Sequence, residues 1–378
     1  MDTDLNETQL MLREAARSLL MTRYPAKMAL QMANDNIGYP LELWQEISEL
    51  GWPGLVFPSN YGGEDGSFLD LTVLLEETGR AMLPAPLLST VVLAGLPILH
   101  AGSEKQKNES LPPLCKGKLK ATMALTESEI GYSSSAIKMR AKQDGHDFIL
   151  SGIKMFVPDA HVADIILCVA RTSGETDSDR GITVFIVDCK AEGLERRLLK
   201  TFDGFKQAEV IFNNVRVPGT SALGKVGQGW KIVRDTVDLA AVAKSAEMLG
   251  GAEAILARTI DYAKIRHQFD QPIGAFQAVQ HRTADMKVDV DAMRLITYQA
   301  AWMLSEGIPC RKEISMAKAW NSDAFKRVAM SGIRTHGGVA FMEDHDVSLH
   351  YRRAMTSEFS YGDADFHRIL VLQEILDE

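Results

Sequence analysis

The period of the apolar residues changes twice along this chain, and this change restricts the possible folds more than any other feature. Up to about residue 118, apolar residues recur near helical spacing, as in Leu10, Ala15 and Leu19. From about 120 to 217 they lie in short runs rich in branched residues, and from about 230 long helical patterns return. Because helices and strands have different periods, the pattern predicts helices, then strands, then helices again.

Local signals support this division. Asn6, with Gln9 three residues later, forms a capping-box pattern at the start of the first helix. Asp144-Gly145 lies between two strand-like runs and predicts a β-hairpin. Close spacing of about seven short strands favours a compact barrel or sandwich. We therefore expect an α+β protein with a helical domain over 1–119, a β domain over 120–224 and a helical bundle over 225–378.

Composition excludes several classes of protein. The net charge of −9 argues against nucleic acid as a partner, since nucleic-acid binders usually carry a basic surface. No run of about 18 apolar residues exists, so no membrane span is expected. The acidic start at Met1-Asp2 lacks an apolar signal core, which favours a cytoplasmic protein. Without a CxxC pair we expect buried free thiols and no bound metal. The cysteines are Cys115, Cys168, Cys189 and Cys310.

The most specific motif runs from Arg266 to Gln277 and reads RHQFDQPIGAFQ. Taken alone, it indicates a helix end, a Pro-Ile-Gly turn and the start of a new helix. Following a chain that is first helical and then β, it resembles the acyl-CoA dehydrogenase family, in which RxxFGxxIxxFQ joins two C-terminal helices. Three further segments resemble that family in the same order. They are Leu125-Thr126-Glu127 with Gly131, Gly152-Ile153-Lys154-Met155-Phe156, and His336-Gly337-Gly338-Val339-Ala340-Phe341.

The resemblance implies a fold and a cofactor. It implies an N-terminal helical domain, a middle β-barrel and a C-terminal four-helix bundle, assembled as a tetramer with FAD bound between barrel and bundle. An Arg fork suits a doubly anionic diphosphate, paired glycines admit close backbone approach, and an aromatic ring can stack on the flavin. The expected cofactor-binding residues are Thr126, Gly131, Phe156, Arg266, Phe269, Gln277, Gly337 and Gly338.

The catalytic positions depart from the family pattern. The family chemistry removes the α-proton of an acyl-CoA thioester and passes the β-hydride to flavin, which requires a carboxylate base. Aligned from Gly337, the usual Glu is replaced by Tyr361, and a phenol with a pKa near 10 is a poor base. A minority of the family carries the base on the first long bundle helix, where this chain has Ala240. Both positions therefore lack a carboxylate.

Two carboxylates remain as candidate replacements for the base. Glu247 lies two helical turns beyond Ala240 on the same helix face, and Asp363 follows Tyr361 by two residues. Contact to a cofactor or a buried polar role stays open for Glu247. Capping and salt bridges explain the acidic residues around Asp363 better than a metal site does.

Three functions remain open. The first is an active FAD-dependent acyl-CoA dehydrogenase with Tyr361 and Glu247 at its catalytic site and an electron-transfer flavoprotein as acceptor. The second is a subunit without its own base in a heterotetramer, since the ending from Gly362 to Arg368 most resembles the small subunits of pimeloyl-CoA or steroid side-chain dehydrogenases. The third is a flavoprotein of another activity, similar to nitroalkane oxidases or monooxygenases.

Overall fold

The structure, a computed structural model, describes residues 5–129, 131–175, 178–342 and 345–377. The acidic start at Met1-Asp2 lies outside these residues. The helices are α1 (Glu7–Arg23), α2 (Ala26–Asn34), α3 (Leu41–Glu49), α4 (Phe68–Ala81), α5 (Leu96–Ala101), α6 (Glu104–Cys115), α7 (Trp230–Ile265), α8 (Gln277–Ser305), α9 (Arg311–His336), α10 (Asp346–Ser357) and α11 (Ala364–Asp377). The strands are β1 (Ala121–Ala124), β2 (Arg140–Asp144), β3 (Asp147–Pro158), β4 (Ile165–Arg171), β5 (Ile182–Asp188), β6 (Leu194–Leu199), β7 (Gln207–Pro218), β8 (Ala222–Leu223), β9 (His267–Gln268) and β10 (Gln271–Pro272).

The order of helices, strands and helices confirms the predicted fold class. The capping box at the start of α1 is present, with Gln9 N–H donating to the Asn6 side chain at 2.9 Å. All four cysteines are buried free thiols, as expected. No helix within the described ranges is both long and apolar enough to cross a bilayer.

One compact unit combines the first helices with the C-terminal bundle. It comprises Met1–Asn34, Ser67–Leu83 and Ala241–Glu378. Its apolar core includes Met248 of α7 and Phe325 of α9. This unit contains most of the residues that carry the proposed chemistry.

Buried charges join α1, α4 and α8 inside this unit. Glu76 and Glu77 of α4 are almost completely inaccessible to solvent. Glu76 accepts hydrogen bonds from Arg294 at 3.1 Å and from the Tyr298 hydroxyl at 2.7 Å. Glu77 accepts one from Arg17 of α1 at 2.6 Å. Because a buried carboxylate without a partner is costly, these contacts fix the order in which the three helices pack.

The second unit comprises Asp35–Gly66 and Pro84–Ala240 and contains the large sheet. The strands follow the order β6-β7-β3-β2-β4-β5-β8, and β1 pairs in parallel with β4. β2 and β3 form the predicted hairpin, in which Asp144 pairs with Asp147 and Gly145 adopts a φ of 66°.

The middle domain is an open sheet, so the prediction of a closed β-barrel was wrong. Closure would require β6 to pair with β8, but in the described chain β6 pairs only with β7, and β8 only with β5. β8 has just two residues, Ala222 and Leu223, too few to continue a ladder around a barrel. The apolar core of this unit lies on one side of the curved sheet and includes Phe148, Phe185 and Phe212.

Candidate functional site

Phe156 occupies a strained position in β3. Its φ is 55°, a left-handed value that bulky residues rarely adopt, and the pairing register with β7 shifts between Lys154 and Val157. The resulting bulge leaves the Phe156 side chain 46% exposed. The neighbouring Met155 N–H donates to the Thr126 carbonyl at 2.8 Å. Two separately predicted cofactor segments therefore meet at this bulge.

A buried ion pair supports that meeting point. Lys154 Nζ donates to Glu127 Oε1 at 2.7 Å and to the Leu125 carbonyl at 3.0 Å, and Lys154 is fully buried. Glu127 also accepts from the Met139 N–H at 3.0 Å. The half-buried Thr126 is thus held between two anchored neighbours. Both charged residues lie within the family-like motifs, but their spacing in the sequence did not indicate that they pair.

Gly131 belongs to the loop that follows Thr126. A Cβ at this position would lie 2.9 Å from the Ala136 Cβ, so the residue type is restricted by the tight return of the loop. The fully buried Arg171 donates to the carbonyls of Ser134 at 2.9 Å and Ile137 at 3.1 Å. The guanidinium of Arg171 therefore holds the returning part of the loop by its carbonyls. No pattern in the sequence predicted this contact.

The segment after α7 forms a small β-hairpin in place of the predicted Pro-Ile-Gly turn alone. β9 and β10 pair, and the two linking residues, Phe269 and Asp270, have φ values of 52° and 62°. Positive φ at both positions defines a type I′ turn, which normally selects Asn or Gly. Phe269 is 87% exposed and forms an edge-to-face contact with Phe276, at 6.1 Å between ring centroids.

A stacked pair of rings links the segment that contains Arg266 to the glycine pair Gly337-Gly338. The ring of His336, directly before Gly337, stacks on Tyr262 with centroids 4.5 Å apart. Arg266 N–H donates to the Tyr262 carbonyl at 2.9 Å. Arg266 is exposed, and its guanidinium has no hydrogen-bond partner among the described residues. The Arg266 and Gly337-Gly338 segments therefore lie at the same end of the helical unit.

The backbone at this end is open. Gly337 has a φ of 67°, and a Cβ added at Gly337 or Gly338 would meet nothing within 4 Å. Gln277 is the exposed first residue of α8, whose N-cap, Phe276, provides no side-chain hydrogen bond. Free N–H groups at a helix N-terminus favour an anion.

Tyr361 and Gly362 form a sharp corner between α10 and α11, here called the Tyr361–Gly362 corner. Their φ values are 59° and 100°. The Tyr361 side chain is half-buried and packs on an apolar cluster that includes Ala241 and Ala317. Ala240, the alternative base position, is fully buried. The two positions at which the family pattern places a carboxylate therefore hold a half-buried aromatic ring and a buried methyl group.

The two candidate carboxylates are both engaged. Glu247 Oε2 accepts from Lys244 Nζ at 2.5 Å, one turn earlier in α7. Asp363 Oδ1 accepts from the Phe366 N–H at 2.8 Å and caps α11. The prediction that Asp363 has a capping role is thereby confirmed, and Glu247 is left as the carboxylate candidate for the base.

Comparison with known proteins resolves the family. The N-terminal, middle and C-terminal domain patterns of acyl-CoA dehydrogenases match residues 6–118, 122–215 and 227–376. The chain belongs to the acyl-CoA dehydrogenase family. It is 30% identical over 345 residues to the probable acyl-CoA dehydrogenase YngJ of Bacillus subtilis, covering 89% of this chain and 90% of the relative. It is 28% identical to the caffeyl-CoA reductase-Etf complex subunit CarC of Acetobacterium woodii, with 97% of each chain covered.

The fold agrees with this membership. The crystal structure of butyryl-CoA dehydrogenase from Megasphaera elsdenii superposes with a TM-score of 0.93 and 29% identity over 100% of both chains. This member of the acyl-CoA dehydrogenase family is thus an oxidoreductase that acts on CH–CH bonds, and its cofactor is FAD.

The residues present fit FAD. The exposed guanidinium of Arg266, which has no partner within the described ranges of the chain, suits a diphosphate, and the open backbone at Gly337 and Gly338 admits a flat ring system at close range. The exposed face of Phe156 suits stacking on an isoalloxazine. The residue roles themselves remain predictions.

Proposed function

We propose that this chain desaturates an acyl-CoA thioester between Cα and Cβ as one subunit of a tetramer. The observation that carries the proposal is the strained Phe156 bulge, tied to Thr126 and supported by the buried Lys154. Strain of this kind persists only where the surrounding structure fixes it, and it is concentrated at functional sites. Bound FAD supplies the acceptor for the hydride that leaves Cβ.

The remaining steps belong to the chain's own residues. Arg266, Gln277, Gly337 and Gly338 would hold the diphosphate and adenosine, and Thr126 and Phe156 the ring system. Tyr361 would close the acyl site against water. Glu247 would take the α-proton once its hydrogen bond from Lys244 breaks.

A second candidate function is that of a partner subunit without its own base. The specific observation in its favour is that Glu247 is already paired with Lys244. The two positions at which the family carries its base hold Tyr361 and Ala240 in this chain. In that case the neighbouring subunit of a heterotetramer would supply the carboxylate. This arrangement is what the resemblance of the segment from Gly362 to Arg368 to the small subunits of pimeloyl-CoA or steroid side-chain dehydrogenases would imply.

Further parts of the proposal concern partners and location. An electron-transfer flavoprotein is the proposed acceptor, supported by the name of CarC, which describes that relative as a subunit of an Etf complex. The cytoplasm is the proposed location, in keeping with four free thiols. The division at residues 119 and 224 into three domains remains a prediction.

The test is a single-turnover experiment with the purified holoprotein and butyryl-CoA under anaerobic conditions. If Glu247 is the base, the chain alone should bleach its flavin rapidly, and Glu247→Gln should slow the bleaching by about 10²–10⁴-fold whereas Tyr361→Phe should not. If the chain is a partner subunit without its own base, bleaching by the chain alone should be slow, and Tyr361→Glu or a co-purified related chain that has Glu at either base position should accelerate it. Rapid bleaching that survives in Glu247→Gln would contradict the assignment of Glu247 as the base. Failure to bind flavin at all would refute the proposed function.

A further inference from the structure

Lys318 is a fully buried lysine that neither the motifs nor the proposed chemistry uses. It lies on α9, and its Nζ donates to the Ser322 hydroxyl at 3.0 Å, to the Glu358 carbonyl at 2.9 Å and to the Gly362 carbonyl at 2.8 Å. An ammonium group has three protons, and all three are used here. Two of the three acceptors belong to the connection between α10 and α11.

The other carbonyl of the Tyr361–Gly362 corner, that of Tyr361, is also bound by a buried side chain. His367 of α11, also fully buried, donates from Nε2 to the Tyr361 carbonyl at 2.9 Å. Its Nδ1 has no hydrogen-bond partner among the described residues, so the ring is neutral with its proton on Nε2. A Cβ at Gly362 would lie 2.6 Å from that same nitrogen. The corner therefore has no spare room.

The corner needs such support because of its backbone. A left-handed φ of 59° at a tyrosine costs energy, and the conformation lasts only if the surroundings hold it. Two consecutive carbonyls bonded to two buried basic side chains provide that hold. We propose that Lys318 is a positioning residue, whose ammonium binds the Gly362 carbonyl and so keeps Tyr361 in its left-handed conformation at the acyl site. That the corner faces acyl-CoA rests on the proposed function, whereas the hold itself does not.

The charges around Lys318 make this hold sensitive to pH. Burial lowers the pKa of Lys318 to about 7, with a further contribution from Lys244. A neutral amine donates two protons to the two carbonyls and accepts the Ser322 hydroxyl proton on its lone pair, so deprotonation of Lys318 removes the charge assistance that strengthens the bonds to the Glu358 and Gly362 carbonyls. The groups that face Lys318 are Lys244 of α7, Lys326 of α9, Glu358 after α10, Asp363 before α11 and His367 of α11.

The first test measures the hold directly by hydrogen exchange of the FAD-loaded protein. Lys318→Met should lower the protection factors of residues 359–364 at least tenfold, with those of α1 unchanged. Lys326→Met is the matched control, because Lys326 lies two turns along the same helix and binds the Glu358 side chain at 2.6 Å instead of its carbonyl. In the wild type the same protection should fall as the pH rises through about 7, and it should not in Lys318→Met.

The second test asks whether Lys318 acts through Tyr361. Its readout is the change of the flavin absorption spectrum on titration with butyryl-CoA. Lys318→Met should weaken butyryl-CoA binding at least fivefold in the wild-type background and by less than twofold in Tyr361→Gly, which has no ring to position, since the two residues belong to one unit. Ser322→Ala, which removes one acceptor only, replaces Lys318→Met if that variant does not fold, and a smaller loss of protection is expected.

The outcomes separate the two proposals. Unchanged protection of the corner in both Lys318→Met and Ser322→Ala overturns the positioning role. Equal weakening in the wild-type and Tyr361→Gly backgrounds overturns it as well, because Lys318 would then act elsewhere. If butyryl-CoA leaves the flavin spectrum unchanged in every variant while the exchange results hold, the proposed function fails and the hold on the corner stands.

Discussion

Single residues with a left-handed backbone conformation mark the parts of this molecule where tertiary packing overrides the local φ/ψ preference of the residue. Phe156, Phe269 and Tyr361 are aromatic residues with φ values of 55°, 52° and 59°. Each lies in a segment that the sequence connects with FAD or with the acyl site. Because such conformations are unfavourable for bulky residues, each requires a specific support. For Phe156 and Tyr361 that support is a buried lysine nearby, Lys154 and Lys318 respectively.

Arg266→Ala tests the proposed diphosphate contact. Loss of a charge-assisted hydrogen bond should weaken FAD binding by roughly 1.5–3 kcal/mol, or about 10- to 150-fold. Lys264→Ala is the control, because Lys264 is an exposed cation two residues earlier that pairs with Asp261. Dissociation constants from flavin fluorescence titration of the apoprotein decide the matter. Equal affinities for Arg266→Ala and the parent would show that the motif was carried over wrongly.

Lys154→Met tests the support beneath Phe156. Removing one partner of a buried ion pair leaves Glu127 uncompensated, which should cost about 3–5 kcal/mol of unfolding free energy. Lys138→Met removes an exposed lysine that pairs with Glu129, and exposed pairs contribute about 0–1 kcal/mol. Urea unfolding of both variants provides the comparison. Similar losses in the two would mean that the Lys154–Glu127 pair has no special structural weight.

The supporting roles of the buried lysines Lys154 and Lys318 could not be predicted from the sequence, and the reason is physical. Lys318 lies between Ala317 and Ala319, and a lysine in such a place usually has its ammonium in water. Only the packing of α9 against α10 and α11 shows that this face is buried. The exposed positions Arg266 and Gly337, by contrast, were recognised from motifs alone, because their spacing along the chain is itself the signal.

At the scale of elements, the sequence predicted the long helices well, but it did not predict whether the sheet closes into a barrel. The long helical pattern expected from about residue 230 begins with α7 at Trp230, and the hairpin at Asp144-Gly145 is confirmed. Within the first helical region, a buried π-helix at Ser89–Gly95 precedes α5, which the helical spacing of apolar residues alone does not predict. Whether a sheet closes depends on its last strands, and a two-residue strand such as β8 leaves no readable pattern.

The connection from α10 to α11 should make stability depend on acid. Burial is the main cause that lowers the pKa of His367 from 6.5 to about 4. Between these two pH values, His367 is therefore protonated in the unfolded chain but neutral in the folded chain. Stability is complete above pH 6.5 and falls as the pH drops toward 4, by up to about 3 kcal/mol.

Denaturant unfolding at pH 7 and pH 4.5 measures this dependence. His367→Gln should flatten it, because the titrating ring is gone, at the cost of some stability at pH 7. His281→Gln, at an exposed position on α8, should retain the full dependence of the wild type. An unaltered slope in His367→Gln would assign the acid sensitivity to other groups.

At the scale of the whole molecule, exposed apolar side chains on α9 and α11 support the proposed tetramer. Monomeric proteins rarely expose contiguous apolar surface, whereas a second copy of the chain would cover it. The exposed residues are Met316, Trp320, Met330, Ile369, Leu372, Ile375 and Leu376. The expected state in solution is therefore an assembly that buries these helices.

Light scattering of a double variant, Trp320→Glu with Leu372→Lys, checks this expectation. The wild type should have four times the mass of one chain, and the variant should dissociate into smaller species at the same concentration. Met21→Lys is the control, since Met21 is 74% exposed on α1 and lies outside the two helices. A monomeric wild type would contradict the assembly.

The interleaving of the compact units has a consequence for biosynthesis. The unit built from Asp35–Gly66 and Pro84–Ala240 can form while the ribosome is still translating the rest of the message. The other unit cannot, because α4 requires partners on α8: Glu76 pairs with Arg294, and the Leu69 N–H donates to the Ser305 hydroxyl, 236 positions downstream. Until α8 is made, the nascent chain carries Glu76 without Arg294, whereas Glu77 can already pair with Arg17 of α1. Emergence of α8 from the ribosome, rather than emergence of the first helices, is therefore expected to set the moment at which this half of the protein becomes resistant to proteases.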